Sequence, residues 1–188
     1  MKIIVCDNYD EMSKAAAKIV AEQVKTNPNS VLGLATGSTP IGMYGELAEM
    51  NKRGEIDFKT IRTFNLDEYY PISADNDQSY RYFMNKNLFS KINIDISNTH
   101  ILNGLCEDTT AECENFEKLI EQTGGIDLQV LGIGQNGPIG FNEPSENLNS
   151  RTHLTDLTEN TIQANSRFFD DISDVPTQAL TMGMGTIL

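Results

Sequence analysis

Short apolar runs alternate along this chain with segments whose apolar residues recur every three or four positions. Ile3 to Cys6, Val31 to Ala35, Thr60 to Leu66, Thr99 to Leu102, Asp127 to Ile133 and Ala179 to Met182 read as strands. Between them lie helical periods. From Asp10, in the position of an N-cap, Met12, Ala16, Ile19, Val20 and Val24 fall on one face, and Pro28 ends the segment. Pro40 suits the first position of a second helix, with Met43, Leu47 and Met50 inward and Lys52-Arg53-Gly54 at its end. Gln78 to Leu88 and Thr158 to Phe169 also carry a helical pattern. Thr109 to Gln122 does so with Cys113, Phe116 and Ile120 on one side, and Gly124-Gly125 as the stop.

Strands alternating with helices predict an α/β fold. The expected architecture is a three-layer sandwich with a mainly parallel, Rossmann-like sheet, formed as a single domain over 1–188. The protein is long enough for a sizeable core at 188 residues, and 39% hydrophobic with 22% charged residues is the balance of a soluble globular protein. No apolar run reaches the length of a membrane span, and the N-terminal apolar stretch is too short for a signal peptide. Three cysteines (Cys6, Cys106, Cys113) lack the spacing of a zinc site or a CxxC pair. They read as free thiols in a reducing cytoplasm. A net charge of −13 argues against nucleic acid as a partner. Any phosphate site must then be a local exception, built from backbone N–H groups and a few basic side chains.

In parallel α/β sheets ligands sit beyond the C-terminal strand ends, so the residues that follow each strand are the candidates. After Val31 to Ala35 comes Thr36-Gly37-Ser38-Thr39-Pro40. Gly37 permits a tight turn, the helix start offers free N–H groups, and Ser38 and Thr39 add hydroxyls. That suits a phosphate monoester, although an ordinary capped turn has the same residues. After Thr60 to Leu66 comes Asp67-Glu68. Adjacent carboxylates on an extended backbone point in opposite directions, so one can face a cleft while the other is tied down. Asp67 is the candidate general base, with a solvated acidic loop as the alternative. After Asp127 to Ile133 comes a glycine-rich turn bearing Asn136 and Glu143. Asn136 can hydrogen-bond a sugar oxygen but carries no titratable proton, whereas Glu143 does. Gly132, Gly134 and Gly137 form a Gly-x-Gly-x-x-Gly spacing. It lacks the acidic residue of a dinucleotide site, and Pro138 is ill-suited to the pyrophosphate helix. Arg167 suits bidentate phosphate recognition or pairing with Asp170 or Asp171. His100 reads as a structural residue beside a strand.

Six segments together resemble the glucosamine-6-phosphate deaminase (isomerase) family: Val31 to Pro40, Thr63 to Tyr69, Gly132 to Pro144, Ser150 to Thr152, Ala164 to Phe169, and Ala179 to Thr186. The match runs in order along essentially the whole sequence. The resemblance implies conversion of glucosamine 6-phosphate and water to fructose 6-phosphate and ammonia, without metal or other cofactor. This is cytoplasmic amino sugar metabolism, in N-acetylglucosamine catabolism. It places the enolisation base at Asp67, ring opening at positions 136, 138 and 143, and phosphate contacts at Gly37, Ser38, Thr39 and Arg167. It allows homo-oligomers from monomer to hexamer, with no nucleic acid and no membrane as partner. His153 and Thr155 fall where allosteric members carry basic effector-binding residues, so the resemblance implies a simple, non-allosteric form.

Two departures stand out. Pro138 occupies the position of the family histidine, and proline has neither a titratable group nor an N–H. The family also continues past Leu188, so by comparison this sequence reads as truncated at its C-terminus. These departures imply impaired activity. They leave two alternatives: a catalytically inactive sugar-phosphate binder, and a 6-phosphogluconolactonase-like hydrolase. Phe141-Asn142-Glu143-Pro144 fits the deaminases better than the lactonases.

Overall fold

A computed structural model describes residues 1–133, 137–143, 148–166, 169, 171 and 174–188. Among them, the order of elements is α1 (Tyr9–Thr26), β1 (Val31–Leu34), α2 (Ile41–Lys52), β2 (Arg62–Asn65), β3 (Asp67–Tyr70), α3 (Tyr80–Asn87), β4 (Thr99–His100), α4 (Thr109–Gln122), β5 (Leu128–Gln129), β6 (His153–Asp156), α5 (Glu159–Asn165), β7 (Gln178–Thr181) and α6 (Met184–Ile187). No helix among the described residues is long and apolar enough to cross a membrane.

The central sheet is parallel, in the order β4-β2-β1-β5. Its two faces are covered by different helices, as the near-continuous apolar strands require. Leu32 and Leu34 point into one core with Val20 and Val24 of α1, Tyr44 and Leu47 of α2, and Met84 of α3. Val31 and Phe64 point to the other side, where Phe116 and Ile120 of α4 meet Leu180 and Met182. This is the expected three-layer α/β arrangement. A second, antiparallel sheet (β3-β7-β6) continues from the first. Leu66 joins them: its N–H donates to the Leu34 carbonyl (3.1 Å), and its own carbonyl accepts from Met182 N–H (2.8 Å).

The helix boundaries follow local chemistry. Asn8, not Asp10, caps α1, its side chain accepting from the Glu11 N–H at 2.9 Å. Asp10 lies in the first turn, where a carboxylate also suits the helix dipole. The buried face of α1 is Ser13, Ala17, Val20, Ala21 and Val24, about one residue round from the predicted stripe, which leaves Ile19 exposed. Small residues face α2 because the two helices pack closely. Pro40 precedes the first turn of α2 rather than opening it. Gly124 and Gly125 take positive φ (88° and 91°), and the Gly125 N–H closes α4 on the Ile120 carbonyl, as anticipated.

Three strand predictions need correction. Ile3 to Cys6 forms no strand pairing among the described residues, and Ile3 and Val5 are exposed; an apolar run becomes a strand only beside a partner. Asp127 to Ile133 pairs over Leu128–Gln129 alone. It is an edge strand next to β1, and Leu131 and Ile133 run out exposed. Asp67 to Tyr70 is not a loop after a strand but a new strand, β3, buried through its first three residues.

One carboxylate fastens the antiparallel sheet to α4. Glu117 accepts from the Thr152 N–H (2.7 Å), the Thr152 hydroxyl (2.5 Å), the Thr186 hydroxyl (2.6 Å) and Arg151 (3.1 Å). Burial opposes its ionisation. The hydrogen bonds from Thr152 and Thr186 and the Arg151 charge outweigh that, and the carboxyl sits below its usual value.

Candidate active site

A cavity of about 740 Å³ opens at the C-terminal ends of β1, β2 and β5. That lies within the range of small-molecule sites, and it is where a parallel sheet delivers its loops. Of the residues singled out from sequence, Gly37, Ser38, Thr39, Asp67 and Pro138 line it together.

The first wall is the turn between β1 and α2. Ala35 is anchored from below by the buried Tyr44 hydroxyl, which donates to its carbonyl at 2.5 Å. Gly37 then takes φ 101°, a conformation open to glycine at no steric cost. The backbone reverses into α2, and Ser38, Thr39 and Ile41 border the cavity. Among the described residues the Ser38, Thr39 and Ile41 N–H groups find no acceptor. A phosphate oxygen would satisfy them.

The second wall is Asp67 and its surroundings. Adjacent carboxylates split as strand geometry demands. Glu68 is buried and tied down, accepting from the N–H groups of Tyr69 (3.0 Å), Tyr80 (2.8 Å) and Arg81 (3.0 Å), so it fixes the start of α3 to β3. Asp67 faces the cavity. Among the described residues no donor meets its carboxylate. Burial, and secondarily the Glu68 charge, push its carboxyl up to about 7. A carboxyl poised near neutrality can both take and return a proton at physiological pH.

The third wall is the loop after β5. Gly140 has φ 57°, and a Cβ there would lie 2.9 Å from the Thr181 Oγ1 and 3.3 Å from the Asp67 Oδ2. Glycine is what lets this backbone pass so close to the carboxylate. The loop is pinned from behind. The Phe141 N–H donates to the Thr181 hydroxyl (3.2 Å), and the Asn142 side chain donates to the Ile139 (2.9 Å) and Met182 (2.7 Å) carbonyls. Glu143 is not among the lining residues. It turns to α5 instead, accepting from the hydroxyls of Thr158 (2.8 Å) and Thr161 (2.6 Å). Asn136 and Arg167 lie outside the described residues.

Sequence reasoning missed the aromatic side of the cavity. Tyr69, Tyr80, Phe141 and Phe169 cluster beside Asp67, with Tyr80 stacked on Phe141 (7° between planes) and 4.9 Å from Tyr69. They supply the low-dielectric surroundings that raise Asp67. The available signal was Ser79, a helix N-cap that places Tyr80 at the first turn of α3. His100 packs on Phe64 at 4.7 Å, away from this site, and burial lowers its pKa.

The model of the family of glucosamine-6-phosphate isomerases and 6-phosphogluconolactonases matches residues 7–140. Glucosamine-6-phosphate deaminases from Halothermothrix orenii and Clostridium perfringens are 61% and 60% identical to the protein over all 188 residues, which span 78% of their length. The chain belongs to the glucosamine-6-phosphate deaminase family. A solved monomeric deaminase superposes on all of it with a TM-score of 0.96 at 46% identity, and 78% of that deaminase is matched. A 6-phosphogluconolactonase from Thermotoga maritima gives a TM-score of 0.71 at 23% identity over 96% of the present sequence, a shared fold only. Against the deaminases the lactonase alternative is distant.

Proposed function

We propose that this protein binds glucosamine 6-phosphate with its phosphate at the Gly37-Ser38-Thr39 turn and converts it to fructose 6-phosphate and ammonia. The observation that carries this reading is Asp67: a buried carboxyl near neutrality, facing the same cavity as a turn whose Ser38, Thr39 and Ile41 N–H groups meet no acceptor among the described residues. In the open-chain sugar the Asp67 carboxylate removes the C2 proton and returns a proton to C1. With the amine giving up a proton and O1 gaining one through solvent, the C1 aldehyde becomes a hydroxymethyl group and the C2 amine becomes an imine. Water adds to that imine, and ammonia leaves as the C2 ketone forms. Water is consumed, so the net reaction is a hydrolysis as well as an isomerisation. The resemblance supports Arg167 as the charged phosphate partner, and Asn136 and Glu143 as polar groups of the ring-opening loop.

Pro138 limits the rate. It lines the cavity where ring opening needs a proton carried between O1 and the ring oxygen, and it carries none. The protein therefore depends on sugar that opens without its help. A solved relative at 46% identity is a monomeric glucosamine-6-phosphate deaminase, which supports function as a monomer. Cytoplasmic amino sugar metabolism, including N-acetylglucosamine catabolism, is the setting this substrate implies.

The test is a coupled assay for fructose 6-phosphate, with ammonia measured in parallel. Equal amounts of both products, formed slowly, are expected. Pro138 also favours a second reading, a binder without turnover. Fructose 6-phosphate binding by calorimetry with no ammonia released at any pH above neutrality would select it.

A further inference from the structure

The turn at the start of α2 does not hold itself. Tyr9, the first residue of α1, reaches across to it. Its hydroxyl accepts from the Gly42 N–H (2.9 Å) and donates to the Ser38 carbonyl (3.0 Å) or the Thr39 carbonyl (3.1 Å). The approach is possible because residue 42 is glycine. A Cβ there would lie 2.3 Å from the Ser13 Oγ and 3.0 Å from the Tyr9 ring.

We infer that Tyr9 is the positioning residue of the phosphate turn: by holding the Ser38 and Thr39 carbonyls against α1, it aims the Thr39 N–H into the cavity. The inference rests on the phosphate site proposed above. Its physical basis is the planar trans peptide, in which the carbonyl of one residue and the N–H of the next point in opposite directions. With the Ser38 carbonyl drawn to Tyr9, the Thr39 N–H must face away from α1. The next peptide ends in Pro40 and has no N–H to aim. The Gly42 N–H is taken by the phenol, which leaves Thr39 and Ile41, with Ser38 before them, as the N–H groups open to a ligand among the described residues. Tyr9 touches no ligand itself. It sets where a ligand's oxygens find their partners.

The test is calorimetric titration of the whole protein with inorganic phosphate and with fructose 6-phosphate. Tyr9→Phe keeps the ring on Gly42 and removes the hydroxyl. It should weaken both ligands by the same factor, about fivefold for a lost hydrogen bond, and in turnover the change should fall on KM. Gly42→Ala, which forces α1 off the turn, should weaken them in the same sense. Asn8→Ala removes the cap at the same end of α1 without touching the turn, and should leave both affinities in place. A tyrosine with only a packing role would lower the melting temperature and leave both dissociation constants where they were. That result overturns the inference and spares the phosphate site. Equal weakening in Asn8→Ala also overturns it. If the unaltered protein binds neither ligand, the phosphate site fails and this inference fails with it.

Discussion

The turn that leaves β1 and the loop that leaves β5 are both glycine-bearing exits from parallel strands into one cavity, yet they are built differently. β1 is an interior strand, buried at all four residues, and its turn is fixed by Tyr44, Tyr9 and the start of α2. What it offers a ligand is mostly backbone. β5 is an edge strand of two paired residues. Its loop is held at the far end by Asn142 and Thr181, and in the proposed reaction it would have to offer side-chain chemistry. Backbone donors survive almost any substitution; a proton carrier does not survive replacement by proline. The binding half of such a site can therefore remain whole while the proton-transfer half is lost.

Asp67 provides the sharpest test, because both halves converge on it. Asp67→Asn should reduce ammonia release by about 10²–10⁴-fold, the usual worth of an acid–base group, and leave fructose 6-phosphate binding in place. Unchanged turnover would end the assignment. The same variant has a signature in stability. The folded carboxyl titrates near 7, above its ordinary value of 3.8. The folded protein therefore holds a proton that the unfolded one releases between those values. Its stabilising contribution is complete below about pH 4 and is lost as the pH rises through 7. Denaturant melts of Asp67→Asn should lack that decline, and the variant should be the more stable form above neutrality.

Pro138→His should raise turnover by up to about 10²-fold, at the lower end of the same range because the surroundings are not adapted to an imidazole. No gain in initial rate would show that something besides this position limits the loop. Next comes Asn142→Ala, which leaves two carbonyls without their donor and should cost about 1–3 kcal/mol of stability in urea titration. A loss well below that would mean the loop is not pinned as described. The smallest effect is expected at Ser38→Ala. If the turn works through its backbone, calorimetry with fructose 6-phosphate should show a loss of no more than about 1 kcal/mol. A much larger loss would shift the weight from backbone to hydroxyl.

How much of this was legible in the sequence depended on whether a signal was local. The glycine stop of α4 and the turn at Gly37 are properties of a few neighbouring residues, and they read correctly. The opposite placement of the Asp67 and Glu68 side chains, one at the cavity and one tied to α3, also read correctly, since it follows from strand alternation alone. What failed was pairing. Ile3 to Cys6 and Asp127 to Ile133 have strand composition, but composition does not say whether a partner lies alongside, and both came out shorter or unpaired. β3 and β6 went unread because Asp67, Glu68 and His153 look polar, and only β7 between them makes them a sheet. The aromatic wall was invisible for the same reason: Tyr69, Tyr80 and Phe141 come from three separate segments. Glu143 was read as facing the cavity because its chemistry suited it, and nothing nearby in sequence revealed the two threonines, Thr158 and Thr161, that claim it.

Glu117 has a consequence for how the molecule comes apart. The parallel sheet is held by apolar packing on both faces, which acid leaves alone. The β6–β7–α6 end shares that packing through Leu180 and Met182, but it is also tied to α4 by an ionised carboxylate through Thr152, Thr186 and Arg151. Because that carboxyl titrates below its ordinary value, its hold is complete above about pH 4.5 and fades as the pH falls. Acidification should thus act as a selective key: amide exchange would quicken first in this C-terminal flap, while β1 and β2 keep their protection.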